Sequence, residues 1–181
     1  EALKIDSGIV DADDRKSPMF LTNEDFSSLP MPARHLVDID SYKYFIEDAR
    51  AVSLIAQLGC PFHCAFCSGR NSPFLRKIRT RSIDSIIEEI DHLYKNHGFK
   101  GYMFYDDELN VNKGMVDLMN KLSDYQKENN VEFRLRGFVK AELFTDEQAA
   151  AMYRAGFRWL LTGFESGDEK ILKNIKKIAT I

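Results

Sequence analysis

Three cysteines in one short segment are the residues of this chain most able to carry chemistry. They are Cys60, Cys64 and Cys67, separated by three and then two residues, and the 181 residues hold no others. Thiolates at this spacing can surround one face of an iron–sulfur cubane, which normally takes four thiolate ligands. Three ligands leave one iron open to a substrate or cofactor, just as catalytic metal sites keep one coordination position free. The spacing therefore predicts a catalytic cluster.

Two non-catalytic sites could use the same thiols. A structural zinc site could add His63, but this residue adjoins Cys64, which strains the geometry, and structural zinc sites usually join two short knuckles. An electron-transfer cluster would need a fourth cysteine, and the chain has none. Disulfides are disfavoured because three closely spaced thiols cannot all pair and the N-terminal residues lack a secretory signal. The open cluster is the favoured interpretation, in a reducing, cytoplasmic compartment.

Charged and hydroxyl side chains recur in or directly after apolar segments of the chain. They are Asp106 and Asp107 after GYMFY, Arg134 and Arg136 within VEFRLRGF, and Glu165 and Ser166 after FRWLLTGF. A carboxylate can accept charge-assisted hydrogen bonds, and an arginine can bind a carboxylate. Lys140 competes with the two arginines for that last role. These residues are candidates for binding a charged cofactor or substrate.

A strand–helix alternation begins near residue 51 and contains four units. We predict strands over 51–57, 101–105, 131–138 and 157–164, with helices over 82–98, from Met115 to Asn129, between Thr145 and Gly156, and over 167–177. Such units imply an α/β fold, in which helices cover a parallel sheet through right-handed crossovers. Chemistry gathers at the carboxyl ends of such strands, where the cysteines and charged residues fall. A full eight-unit barrel needs about 250 residues, so this chain can supply only a partial one.

Residues 1–48 differ from the rest of the chain. They hold the LPMP segment at 29–32 and clusters of Asp, Ser and Asn, which is typical of an extended arm or interdomain linker. Residues 49–181 would form the partial barrel, with the single tryptophan, Trp159, in its core. A formal net charge of −3 offers no basic excess for nucleic acid, and the chain lacks the run of about 18 apolar residues that a membrane span needs.

The cysteine segment CPFHCAFC resembles the signature of the radical S-adenosylmethionine (SAM) superfamily. The resemblance extends from residue 51 to about residue 177. Within it, residues 78–113 and 155–177 are similar to the subgroup typified by cobalamin-dependent radical enzymes. The segment SSLPMPARHLVD, residues 27–38, resembles the stretch that joins a cobalamin-binding domain to the radical barrel in that subgroup.

This resemblance implies a partial parallel (β/α) barrel of radical SAM type, with about four βα units, that stops before the barrel is complete. It implies a 4Fe–4S cluster and S-adenosylmethionine as cofactors, with cobalamin supplied through a domain outside this chain if it is used. The implied reaction is reductive cleavage of SAM to a 5′-deoxyadenosyl radical, followed by hydrogen abstraction or by methyl transfer. The resemblance also implies a reductant protein such as flavodoxin or ferredoxin, and the substrate stays open.

The resemblance assigns roles to individual residues. The three cysteines would bind the cluster, and Phe66 would contact the adenine of SAM. Asp106 or Asp107 would bind the methionyl amino group, where the family commonly has a Gly-Gly-Glu-like motif. The alternative for either aspartate is a cap for the following loop or helix.

Further cofactor contacts are implied at the later strands. Glu165, with Ser166 beside it, would meet the ribose or the amino-acid part of SAM, and Arg136 would meet a carboxylate. The alternative for Glu165 is a favourable charge at the N-terminus of the next helix, worth about 0.3–1 kcal/mol.

Overall fold

The computed structural model describes residues 11–177, and within them it contains seven strands and six α-helices. The strands are β1 (Phe45–Ile46), β2 (Ala49–Leu54), β3 (Gln57–Leu58), β4 (Arg79–Thr80), β5 (Gly101–Phe104), β6 (Arg134–Phe138) and β7 (Phe157–Leu161). The helices are α1 (Asn23–Ser28), α2 (Pro73–Arg76), α3 (Ile83–His97), α4 (Met115–Glu128), α5 (Asp146–Ala155) and α6 (Glu169–Asn174).

Five of the strands form one sheet in the order β1-β2-β5-β6-β7. The strands β2, β5, β6 and β7 run parallel, and β1 adds to β2 in the antiparallel direction. Each parallel strand is followed by a helix, so the four predicted βα units are confirmed as a partial parallel barrel. The strands β3 and β4 pair separately as a hairpin, and the three cysteines lie in the connection between them.

Local signals explain where the helices begin and end. Ser82 caps α3 by accepting from the backbone of Ser85, and Gly98 ends this helix in the left-handed conformation with φ of 69°. Thr145 begins α5 with a capping box, and Gly156 ends it with φ of 102°. These starts and stops confirm the helix boundaries predicted at the four residues.

The main core lies between the helices and one face of the sheet. Tyr102 and Phe104 of β5 pack in it with buried side chains of α3, α4 and α5, including Leu93 and Leu122. Met103 belongs instead to a small cluster with Ile46 and Ala51, on the opposite face, because side chains alternate along a strand. Burying each large apolar side chain contributes roughly 1.5–3 kcal/mol, so this two-layer packing holds the strands in register.

The described part of the predicted arm, residues 11–48, packs against the domain. Phe26 of α1 and Ile39 are buried, and Ile39 joins the main core. The Arg34 guanidinium lies 2.6 Å from a carboxylate oxygen of Glu89 on α3. The division of the chain at residue 48 stays a prediction.

Two details differ from the expectations. Trp159 is 56% exposed, so its predicted core position is wrong. The physical reason is that β7 is the last strand in the order of the described sheet, which leaves one flank without a neighbour. The helix predicted over 167–177 is also shorter, since α6 covers only six residues. No helix among residues 11–177 is long and apolar enough to cross a membrane.

Candidate active site

The cysteine loop, residues 59–78, leaves the sheet beyond the carboxyl end of β2. It begins at Gly59, whose φ is 92° and whose Cα faces the Lys77 carbonyl so closely that a Cβ would lie 2.0 Å from that oxygen. Only glycine fits this position without strain. The next residue, Cys60, donates its backbone N–H to the Leu75 carbonyl at 2.9 Å. The two ends of the cysteine loop are therefore held against each other.

The three thiols are free and all reach solvent, with Cys60 and Cys64 partly exposed and Cys67 exposed. Burial raises the pKa of the Cys60 thiol, and the neighbouring carboxylates of Glu108 and Asp107 raise it further. Among residues 11–177 no three His, Cys, Asp or Glu side chains are arranged to hold a metal ion. The donor set nevertheless fits a three-cysteine cluster, because bound iron deprotonates thiols and metal binding itself organises a loop.

Arg76 supports the cysteine loop through hydrogen bonds to its backbone. No role was predicted for this residue from the sequence. Its guanidinium donates to the carbonyls of Pro61 at 2.7 Å and Phe62 at 2.9 Å. On the other side of the loop, the Ala65 N–H donates to the Ile175 carbonyl at 2.7 Å, just after α6. Arginines are frequent between residues 70 and 81, so the sequence carries no signal that singles out this one.

Asp106 lies at the carboxyl end of β5 and is only 1% exposed. One of its carboxylate oxygens accepts the backbone N–H groups of Ala56 at 2.8 Å and Gln57 at 3.1 Å. Its other oxygen is buried without a hydrogen-bond partner among the described residues. Burial raises the pKa of Asp106 to about 7, against the lowering effect of the two N–H donors. The carboxyl group thus joins the end of β5 to the segment that leads into the cysteine loop.

Asp107 is exposed, and one of its carboxylate oxygens accepts the Gly59 N–H at 2.7 Å. The following 3₁₀ turn, Leu109–Val111, has no side-chain cap, so neither aspartate caps the next element as the alternative suggested. The structure brings both aspartates to the start of the cysteine loop.

Glu165 stands beyond the carboxyl end of β7 in a conformation that is uncommon for a residue with a side chain, with φ of 63°. Its carboxylate lies 3.5 Å from the Lys177 ammonium. Ser166 accepts the Asp168 N–H at 3.0 Å, and Asp168 rather than Glu165 caps α6. Backbone strain of this kind, in a residue that is not glycine, is found most often at functional sites.

The two basic candidates on β6 lie at different positions along the strand. Arg134, at its start, binds Glu47 at 2.7 Å, so this arginine is engaged away from the strand ends. Arg136 lies midway, on the face shared with Met103, and its Nε is buried without a partner among the described residues. Phe66, on the cysteine loop, is 58% exposed.

Lys140 follows β6 and is only 2% exposed. Its ammonium lies 3.0 Å from a Glu142 oxygen and 4.4 Å from the centroid of the Phe62 ring in the cysteine loop. Burial raises the pKa of Glu108, while the charges of Lys140 and Lys177 oppose that effect. Charged side chains of both signs therefore lie after the carboxyl ends of β5, β6 and β7, near the cysteine loop. The sequence indicated them only as polar residues that follow strands.

The cysteine loop and the parallel strands after it lie in a region that one family model matches. A family model described as the radical SAM superfamily matches residues 54–181. The chain belongs to the radical SAM superfamily. The resemblance of the cysteine segment is thereby confirmed, and this radical SAM chain is a domain of a family of enzymes.

Curated relatives of this radical SAM chain extend well beyond it. An uncharacterized methyltransferase of Pyrococcus horikoshii is 27% identical over 155 residues, which cover 85% of this chain and 32% of the relative. An anaerobic magnesium-protoporphyrin IX monomethyl ester cyclase of Synechocystis is 28% identical over 144 residues, covering 78% of this chain and 28% of the relative. The chain thus spans about a third or less of these relatives.

A solved structure shares the radical SAM fold. The radical S-adenosylmethionine methyltransferase TsrM from Kitasatospora setae, with cobalamin and a [4Fe-4S] cluster bound, aligns with a TM-score of 0.63 at 20% identity. The alignment covers 71% of this chain and 25% of that enzyme. At this identity the likeness establishes the partial barrel and leaves the roles of individual residues as predictions.

Proposed function

We propose that this chain is the core of a radical SAM enzyme that cleaves S-adenosylmethionine reductively to a 5′-deoxyadenosyl radical. The observation that carries the proposal is the presence of three free cysteines on one loop at the carboxyl end of β2, in a chain of this superfamily. We assign Cys60, Cys64 and Cys67 as the ligands of a 4Fe–4S cluster.

The chain's own residues prepare the site for this chemistry. The cluster, when bound, supplies the electron for cleavage of the sulfonium, as cofactors carry the difficult chemistry in such enzymes. Arg76 holds the carbonyls of Pro61 and Phe62, so these backbone atoms are already fixed. Phe62 and Phe66 add apolar surface to the cysteine loop, and the apolar surroundings of a metal site help to set its reduction potential.

Charged side chains at the strand ends suit a zwitterionic cofactor. We assign Glu165 to ribose or amino-acid contacts, with Ser166 beside it, since a carboxylate accepts well from hydroxyl and ammonium groups. We assign Arg136 to a carboxylate, because its buried Nε has an unused donor among the described residues. Phe66 is exposed and can offer its ring or backbone to the adenine.

We propose methyl transfer with cobalamin as the overall reaction of the whole protein. The methyltransferase name of the Pyrococcus horikoshii relative and the cobalamin bound in the TsrM structure support this choice. Cobalamin would come from a domain outside this chain. The cyclase name of the Synechocystis relative supports hydrogen abstraction as the second candidate. A flavodoxin or ferredoxin as reductant and a cytoplasmic location complete the proposal.

Anaerobic reconstitution with iron and sulfide tests the cluster. We expect about four irons and four sulfides per chain, and a reduced-state electron paramagnetic resonance spectrum that changes when SAM is added. A variant with all three cysteines changed to alanine is the matched control and should lose the iron. Zinc in place of iron, or a cluster indifferent to SAM, would establish the non-catalytic alternatives instead.

Product analysis tests the reaction. The full-length protein should form 5′-deoxyadenosine or S-adenosylhomocysteine when supplied with SAM and a reductant. Added cobalamin should raise methyl transfer if that candidate is correct, and should leave the rate unchanged if hydrogen abstraction is the reaction. Absence of both products, with an intact cluster, would contradict the proposed function.

A further inference from the structure

The end of β5 and the start of the cysteine loop are joined by a continuous set of hydrogen bonds. The Tyr105 N–H donates to the Leu54 carbonyl at 2.9 Å, which extends the pairing of the two strands. Asp106 then accepts from Ala56 and Gln57. The buried Gln57 side chain continues the set by donating to the carbonyls of Gly59 at 3.1 Å and Glu108 at 3.2 Å.

Asp107 makes the last of these bonds, to the residue directly before a cysteine. Its carboxylate accepts the N–H of Gly59, the residue directly before Cys60, at 2.7 Å. A carboxylate that accepts a backbone N–H forms a charge-assisted hydrogen bond, roughly twice as strong as a neutral one. On the far side, Gly59 meets the Lys77 carbonyl and Cys60 donates to Leu75. The peptide that carries Cys60 is thus held between β5 and residues 75–77.

We propose that Asp107 is a positioning residue for Cys60, which directs this thiolate toward the cluster through the Gly59 N–H. The proposal rests on the proposed function, because it takes Cys60 as a cluster ligand. Asp106 and Gln57 provide the fixed base on which this contact depends. Cys64 and Cys67 lie farther along the loop and receive no such bond from β5 among the hydrogen bonds of the described residues.

The alternative is that Asp107 binds the methionyl ammonium of SAM directly. The two roles require different properties of the side chain. Positioning requires an oxygen that accepts one N–H, which asparagine also offers. Recognition of an ammonium requires the negative charge, which asparagine lacks. The pair Asp107→Asn and Asp107→Ala therefore separates the two roles, because only the second variant removes the acceptor.

The experiment uses the full-length holoenzyme, reconstituted anaerobically in parallel as wild type, D107A, D107N and the surface control Asp124→Ala. Asp124 is an exposed residue of α4 that pairs with Lys127. The readouts are iron content, the midpoint potential of the cluster, its paramagnetic resonance spectrum with and without SAM, and the SAM concentration at half-maximal 5′-deoxyadenosine formation. Circular dichroism checks that each variant is folded.

We expect D107A to shift the midpoint potential and the spectrum in the absence of SAM, and to slow 5′-deoxyadenosine formation about tenfold. D107N should restore most of the wild-type potential and rate, and D124A should match wild type. If D107A does not fold, D107N alone decides between the two roles through its potential and its half-maximal SAM concentration.

Three results would overturn the inference. The first is a D107A variant that matches wild type in potential, spectrum and rate, which would show that the contact with Gly59 has no influence on Cys60. D107N could instead behave like D107A and require much more SAM while its SAM-free spectrum stays normal, which is the signature of ammonium binding. A wild-type protein that assembles no cluster would remove the proposed function itself, and the iron analysis identifies that outcome separately.

Discussion

Asp106 combines almost complete burial with a carboxyl group that still titrates. Burial raises its pKa to about 7 in the folded protein, whereas the unfolded chain exposes it to water with an ordinary pKa near 4. Between these values the folded state binds more protons than the unfolded state. The contribution of Asp106 to the free energy of unfolding is therefore present below pH 4 and is lost as the pH rises toward 7.

Asp106→Asn should flatten this pH dependence, because an amide cannot titrate. We expect the unfolding free energy of the wild type, relative to that of D106N, to fall from pH 4.5 to pH 7.5. The fall is at most about 1.4 kcal/mol per pH unit. Urea denaturation at several pH values measures it. Parallel pH profiles for the two proteins would show that the carboxyl group ionises normally when folded.

Gly59→Ala tests the close contact at the start of the cysteine loop. The added Cβ would lie 2.0 Å from the Lys77 carbonyl oxygen, in a left-handed conformation, so we expect a loss of stability of about 2–4 kcal/mol. Gly98→Ala is the matched control, because its φ is also positive but nothing lies within 4 Å of its Cβ position. G98A should cost only about 1–2 kcal/mol. Equal losses in thermal or urea unfolding would argue against the contact.

At the scale of elements, one buried carboxylate joins the N-terminal segment, α3 and the end of β2. Glu89 of α3 is 1% exposed and lies 2.6 Å from the Arg34 guanidinium and 2.5 Å from that of Arg81. The two arginines also donate to the carbonyls of Ser53 and Ile55, the first on β2 and the second just beyond it. One buried carboxylate is thus the ion-pair partner of both guanidinium groups.

Glu89→Ala should destabilise the chain by about 3–5 kcal/mol, the usual cost of leaving buried charges without their partner. The exposed neighbour Glu88 on the same helix supplies the control, and E88A should change the unfolding free energy by less than about 0.5 kcal/mol. E89A should also make residues 29–38 easier to cleave by protease, since Arg34 loses its anchor. Unchanged cleavage would show that apolar contacts alone hold this segment.

For the molecule as a whole, β7 forms one of the two edges of the described sheet and is an open flank. Trp159 and Leu160 on this strand are 56% and 40% exposed, and Phe164 just beyond it is 67% exposed. An edge strand with apolar side chains is a template for pairing with another chain. The 181-residue chain studied alone should therefore self-associate through this flank.

Leu160→Lys should reduce that self-association, because a lysine on an edge strand opposes strand addition. Light scattering across a concentration series measures the effect, and acrylamide quenching of Trp159 fluorescence reports its exposure directly. We expect easily quenched fluorescence in dilute wild-type protein and reduced quenching as it associates. A monomer at all concentrations in both proteins would contradict the prediction.

The sequence was sufficient for the features that depend on residues near each other along the chain. The spacing of the three cysteines identified the cysteine loop, Ser82 and Gly98 marked the ends of α3, and alternation of apolar segments predicted the four βα units. Each of these signals acts within a few residues through backbone geometry, so no knowledge of the tertiary fold is needed to interpret it.

Only the tertiary structure decided the contacts between distant residues. Asp107 and Gly59 are 48 residues apart, and Arg34 and Glu89 are 55 apart, so each pair meets only because the chain folds them together. The exposure of Trp159 likewise depends on which strand ends the sheet. The sequence by itself predicted which thiols could bind a cluster, because side-chain chemistry is local. The parallel register of β2 and β5 decided which carboxylates lie beside the start of the cysteine loop, because proximity is set by the packing of the whole domain.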